Sequence, residues 1–244
     1  MPKAPAREPL KEVKEKKQWK LLGSGSHGET YLLPNGRVRK YVRGLSFYDL
    51  LEHPWMEKPF NWPERIRTDK KKFQALRKAG CSIPNKIRYN KKESYIEWDD
   101  IAEGGEVLTL NTGYNLMKII NEGGKKLAKR MGEELARMHQ SGYYHIHNPS
   151  LSSMHVVKKS REYYPIVADL GNIRKARVFK ASTMADDVER AMNVIPGQLL
   201  PDFLNAYARQ IKDKGVLRHI RSNMEKLANK EDWRMTITLK KISF

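Results

Sequence analysis

Residues 21–42 read Leu21-Leu22-Gly23-Ser24-Gly25-Ser26-His27-Gly28-Glu29-Thr30-Tyr31-Leu32-Leu33-Pro34-Asn35-Gly36-Arg37-Val38-Arg39-Lys40-Tyr41-Val42. Two apolar runs flank a glycine-rich break. Pro34-Asn35-Gly36 then supplies the preset proline φ and the permissive glycine of a tight turn. The stretch predicts strand, glycine loop, strand, turn, strand. A helix directly after Gly28, with an acidic residue about 20 positions further on, would mark a dinucleotide-binding fold instead. Glu29-Thr30-Tyr31-Leu32-Leu33 leads into a turn, so a hairpin is expected, of the kind that lies as a flap over phosphates.

The next strand carries Lys40 between Val38 and Val42 on one alternation. A lysine there reaches nucleotide phosphates from beneath the flap. An exposed strand lysine is the plainer alternative, and Arg39 is a rival because a one-residue slip exchanges the two faces. Residues 64–79 have helical composition and end at Gly80, a suitable C-terminal cap. Asp69 on this helix is placed to orient Lys40, with Glu64 the second choice.

Further along, short strands are expected at Lys86 to Tyr89 and Ser94 to Trp98, and Gly104-Gly105 reads as a hinge. Helices follow over 107–121 and 124–140, where Leu127, Met131, Leu135 and Met138 recur at helical spacing. Val156-Val157 and Ile166-Val167-Ala168 read as strands. Residues 183–230 read as helices separated by Pro196-Gly197 and Gly215. Strands first and helices later describe an α+β protein of two lobes: a flexible basic arm over 1–17, a small β-rich N-lobe over 18–103 and a mainly helical C-lobe over 104–244.

Composition sets outer limits. The chain has 244 residues with 39% hydrophobic, enough for real cores and too apolar for wholesale disorder. Its 47 Lys and Arg against 28 Asp and Glu give a net charge of +19, which favours anionic partners: a phosphorylated acceptor, an anionic membrane face or nucleic acid. No nucleic-acid motif accompanies the charge. The single cysteine, Cys81, excludes an internal disulfide, and no Cys/His spacing suggests zinc. Met1 to Lys20 lacks the apolar core of a secretory signal, and no apolar run approaches the ~20 residues of a membrane span. A reducing cytoplasm is the expected location.

Ile166-Val167-Ala168-Asp169-Leu170-Gly171 is an apolar strand ending in a carboxylate beside a glycine. That arrangement suits a metal bridging two phosphates, although Asp-x-Gly also occurs in ordinary turns. With the flap, the strand lysine and Met138-His139-Gln140-Ser141-Gly142 ahead of it, the element order is similar to the protein-kinase-like superfamily. More narrowly, the chain resembles the lipopolysaccharide kinase family, whose members phosphorylate Kdo or heptose. Arg39-Lys40-Tyr41-Val42-Arg43-Gly44-Leu45, Arg67-Thr68-Asp69 through Leu76-Arg77-Lys78-Ala79-Gly80, and Asp169-Leu170-Gly171-Asn172-Ile173-Arg174-Lys175-Ala176-Arg177 carry the resemblance, which spans roughly residues 19–210.

The resemblance implies a two-lobed kinase-like fold using ATP and Mg2+. Gly23, Gly25 and Gly28 would cover the phosphates, Lys40 bind them, Asp69 orient the lysine and Asp169 hold the metal, with His155 as a second ligand. Tyr95-Ile96-Glu97-Trp98-Asp99 would offer backbone groups to an adenine ring, at Glu97 and Asp99. Kinases place His-x-Asp-Leu and then an asparagine in the catalytic loop. Here the loop reads His145-Ile146-His147-Asn148-Pro149-Ser150-Leu151-Ser152-Ser153-Met154-His155. Anchoring on Leu151 puts Ser150 at the aspartate and His155 at the asparagine, where some lipopolysaccharide kinases also have histidine. Anchoring on the preceding helix puts His147 at the aspartate. Neither register supplies a carboxylate, so a neutral histidine would take the proton, or the domain is a pseudokinase that serves as a nucleotide-binding or protein-binding scaffold. Arg174-Lys175-Arg177 is expected to hold an anionic acceptor, a glycolipid or a protein.

Overall fold

The computed structural model describes residues 19–25, 28–42, 62–90, 95–101, 105–108, 113–145, 151, 154–168, 170, 173–176, 180–228, 238 and 240–242. These residues form two compact units. The first comprises the described residues up to Lys70 together with Pro84–Asp100; the second comprises Lys71–Ile83 and those from Ile101 onward. The α+β class is as read: the first unit is β-rich and the second mainly helical.

The first unit is a five-stranded antiparallel sheet in the order β1-β2-β3-β5-β4, from β1 Lys20–Gly25, β2 Gly28–Leu32, β3 Arg37–Val42, β4 Arg88–Asn90 and β5 Tyr95–Asp99. Gly25 pairs with Gly28, so the glycine run closes as a hairpin with a two-residue connection, and a register shift lies between Leu21 and Gly23. The Pro34-Asn35-Gly36 turn forms as expected. Gly36 takes φ +73°, a conformation costly to residues with a Cβ, and the Arg37 N–H donates to the Asn35 side chain at 3.1 Å. Lys40 lies opposite Thr30 and Ile96, while Val38 lies opposite Leu32 and Trp98. Directly opposed residues share a sheet face. One face therefore carries the buried Val38, Ile96 and Trp98 together with Lys40; the other carries Arg37, Arg39, Tyr31, Tyr41, Tyr95 and Glu97.

Helix α1, Trp62–Lys78, ends where Gly80 adopts φ +77° and the Cys81 N–H donates to the Leu76 carbonyl at 3.0 Å. Both features are those of a left-handed C-terminal cap. Its buried positions are Asp69, Lys72, Phe73 and Leu76, spaced i, i+3, i+4, i+7 as one helical stripe must be.

The second unit is built on α2, Gly113–Gln140, which is interrupted at Gly124 (φ 57°, ψ −152°). Its residues Leu127, Met131, Leu135 and Met138 are fully buried, each contributing roughly 1.5–3 kcal/mol of apolar transfer free energy. A Cβ built on Gly132 would lie 2.2 Å from the Phe203 carbonyl oxygen, so the close approach of α2 to α4, Leu200–Gln210, requires glycine there. Two small sheets accompany the helices: β7 Tyr143–His145 with β10 Ile173–Lys175, and β6 Glu106–Leu108, β8 Met154–Lys159 and β9 Glu162–Val167 in the order β6-β8-β9. The remaining helices are α3, Lys180–Met192, and α5, Lys214–Ala228.

Two expectations need correcting. Residues 106–108 form a strand, not the start of a helix, because Val107 and Leu108 pair with Val157 and Val156. Gly215 lies inside the first turn of α5, where its N–H donates to the Asp213 carboxylate at 2.8 Å; the break falls at residues 211–213. Asp213 is thus the cap that a glycine-based reading overlooks.

Candidate functional site

The register of β3 decides between Lys40 and Arg39. Lys40 shares the apolar face, whereas the Arg39 guanidinium is held on the opposite one by the Glu97 carboxylate, with Nη2 to Oε2 at 2.8 Å and Nε to Oε2 at 3.0 Å. Its Cζ also lies 4.1 Å from the Tyr95 ring centroid and 5.2 Å from that of Trp19, within cation–π range. Burial lowers the Arg39 pKa, but the hydrogen bonds it donates to the Tyr41 hydroxyl and the Glu97 carboxylate, with the nearby Tyr41 and Tyr95, outweigh that and raise it.

Glu97 and Asp99 lie among these arginines. Arg37 bonds both, through Nε to Glu97 and through Nη1 to Asp99 at 3.0 Å, and Lys86 reaches Asp99 at 3.2 Å. Glu97 sits inside the ladder between Arg39 on β3 and Arg88 on β4, and the Asp99 N–H donates to the Asn85 carbonyl at 3.2 Å. Both carboxylates are spent on holding the arginine side of the sheet.

Asp69 is 8% exposed on α1, as is Lys72 one turn later. Along the chain Lys72 follows Lys70 and Lys71, and such a lysine run is usually a solvated face. The structure instead buries it and directs its Nζ to the Leu170 carbonyl at 2.8 Å. The signal available was positional: 69, 72, 73 and 76 fall on one stripe of the helix.

Asp169, His147 and Ser150 lie outside the described residues, as does the side chain of Glu64. The surroundings of Asp169 in the chain are described. Val167 is fully buried, Ala168 8% and Leu170 3% exposed, and the Val167 N–H donates to the Ser82 carbonyl at 2.8 Å. His155 is half-buried on β8, opposite Ile166.

His145 ends β7 and precedes His147 and Ser150 in the chain. Asp187 of α3, fully buried, accepts from the His145 N–H at 2.7 Å and contacts His145 Nδ1 at 3.1 Å and His139 Nε2 at 3.0 Å. The Tyr207 hydroxyl lies 2.7 Å from His139 Nδ1, and Arg190 Nη2 donates to the His145 carbonyl at 2.7 Å. A carboxylate can only accept, so both imidazoles present an N–H to Asp187, and a neutral His139 then accepts from Tyr207. Burial is the largest influence on His139, Tyr207 and Asp187. It lowers the pKa of His139, and it raises that of Tyr207 well above the usual phenol range, aided by the Asp187 charge. Burial would also raise Asp187, but His145 and His139 together hold its carboxyl well below the ordinary range. Asp187 could not be found from sequence because its partners lie more than 40 positions away.

No group of three His, Cys, Asp or Glu able to hold a metal occurs among the described residues. His155 offers an imidazole nitrogen, a poor match for Mg2+, which takes oxygen ligands. Two cavities within the helical unit, of about 500 and 440 Å³, are lined, among the described residues, by none of those selected from sequence as site residues. Among the described residues, no helix is long and apolar enough to cross a membrane.

No family model and no curated protein sequence matches the chain. Among solved structures, it is similar to the streptomycin–ATP–APH(2")-IIa ternary complex, with a TM-score of 0.42 and 11% identity over 97% of each chain. It is likewise similar to the gentamicin–APH(2")-IIa complex, with a TM-score of 0.42 and 12% identity over 100% of this chain and 98% of that one. Likeness at this distance transfers neither fold nor activity.

Proposed function

We propose that the chain is an ATP-dependent phosphotransferase of protein-kinase-like fold, acting on a hydroxyl of an anionic acceptor. One observation carries the reading: the glycine run closes as a hairpin whose next strand presents Lys40 on the apolar face, with Arg39 withdrawn to the other side. Lys40 is half-buried on the face that also carries Val38, Ile96 and Trp98, and a polyphosphate is an anion that its charge would attract there. In this reading Gly23, Gly25 and Gly28 cover the phosphates and Asp69 orients Lys40.

Asp169 would be the oxygen ligand of Mg2+. Mg2+ commonly takes one or two protein carboxylates and completes its shell with water and substrate phosphates, so an all-protein cage is not required. The bound ion would neutralise phosphate charge. His155 serves better as a hydrogen-bonding neighbour of the phosphates than as a ligand. The +19 charge favours an anionic acceptor, and the lipopolysaccharide-kinase resemblance makes a phosphorylated core sugar the first to try.

The second reading, a pseudokinase, is favoured by residues 146–150, Ile146-His147-Asn148-Pro149-Ser150, which contain no carboxylate. Loss of a base slows phosphoryl transfer without necessarily abolishing it, since positioning and charge neutralisation dominate that reaction.

The test has two stages. ATP with Mg2+ should raise the melting temperature of the wild type and not of Lys40→Met, because a ligand bound only by the native state stabilises it. Labelled ATP with purified core glycolipid should then give transfer that Asp169→Ala abolishes. A thermal shift without transfer selects the nucleotide-binding pseudokinase, and no shift rejects the phosphotransferase and the nucleotide-binding scaffold alike.

A further inference from the structure

We propose that Lys72 is a positioning residue for the segment that carries Asp169, an assignment that rests on the phosphotransferase reading. Two hydrogen bonds bracket Asp169 in the chain. On its N-terminal side the Val167 N–H donates to the Ser82 carbonyl at 2.8 Å, and on its C-terminal side the Leu170 carbonyl accepts from Lys72 Nζ at 2.8 Å. Lys72 belongs to α1, and Ser82 lies just beyond that helix's glycine cap. The backbone on both sides of Asp169 is therefore tied to one helix and the chain that leaves it.

The residue type matters. Lys72 is 8% exposed on the same stripe as Phe73 and Leu76, where an apolar side chain would fill the space without desolvating an ammonium. What lysine adds at this position is a donor long enough to reach a backbone carbonyl, and a positive charge beside it. The Ser82 bond alone leaves the chain after Asp169 free to turn; the Lys72 bond fixes its exit.

The test uses the full-length protein with Lys72→Met, which keeps length and volume, Lys72→Arg, which keeps charge and donors, and Lys70→Met, an exposed control. Hydrogen exchange over residues 166–175 should be at least tenfold faster in Lys72→Met than in the wild type and the control. The ATP concentration giving half of the maximal thermal shift with Mg2+ should rise at least tenfold in Lys72→Met and return to within about threefold in Lys72→Arg. Should Lys72→Met fail to fold, Lys72→Gln supplies the same comparison. Wild-type-like exchange and ATP dependence in these variants would overturn the role of Lys72 alone. Faster exchange with unchanged ATP dependence would reduce it to a structural tie and overturn positioning. A wild type that shows no response to ATP and Mg2+ would overturn the phosphotransferase reading and this role with it.

Discussion

The Asp187 carboxylate accepts the backbone N–H of His145 at 2.7 Å, so a residue of α3 fixes the end of β7. The same oxygen meets two imidazoles, and all three side chains are fully buried. A charge withdrawn from water is stable only when its partners are complete.

Asp187→Ala should consequently cost on the order of 3–5 kcal/mol of folding stability, the range for breaking a buried ionic cluster by removing one member. Asp187→Asn keeps the volume and an acceptor oxygen, and should lose less. Urea unfolding of the two variants checks the order; equal losses would assign the effect to packing and not to charge.

Acid should weaken the fold in two stages. Because burial lowers the folded-state pKa of His139, the unfolded chain takes up a proton first, so the stability of the neutral form is present above the unfolded value of about 6.5 and declines as pH falls below it. Asp187 has a depressed folded pKa, so its contribution is present above the unfolded value near 3.9 and lost as pH falls further. Melting temperature measured from pH 8 to 2 should fall in the wild type through both stages. The stage below pH 6.5 should flatten in His139→Asn.

Glycine positions 132 and 36 should respond for different reasons. Gly132→Ala pushes a methyl against the Phe203 carbonyl, which is backbone and cannot step aside, and should cost roughly 1–3 kcal/mol or more. Gly36→Ala meets nothing within 4 Å, and its penalty of about 1–2 kcal/mol comes from φ +73° alone. Gly36→Asn should recover part of that loss, while Gly132→Asn should be worse than alanine. Denaturant titration separates the cases.

Arg39→Lys should lose on the order of 1–2 kcal/mol, since an ammonium can reproduce neither the two-nitrogen contact with Glu97 nor the planar stacking beside Tyr95. Lys40→Arg keeps its charge on the other face and should leave the Arg39–Glu97 contact intact. The paired stability measurements test the register of β3 independently of any activity.

The sequence by itself determined what depends on neighbours along the chain. Pro34-Asn35-Gly36 dictated its turn, Gly80 its helix cap, and the spacing of Leu127, Met131, Leu135 and Met138 its buried face, because backbone sterics and helical period act over a few residues. The α+β class followed from those local signals. Only tertiary structure decided that Arg39 faces Glu97, that Lys72 is buried against Leu170, and that Asp187 joins His139 to His145. Each of these joins residues far apart in the chain, and a charged side chain carries no local mark of whether water or a distant partner will satisfy it; that is settled when the layers pack.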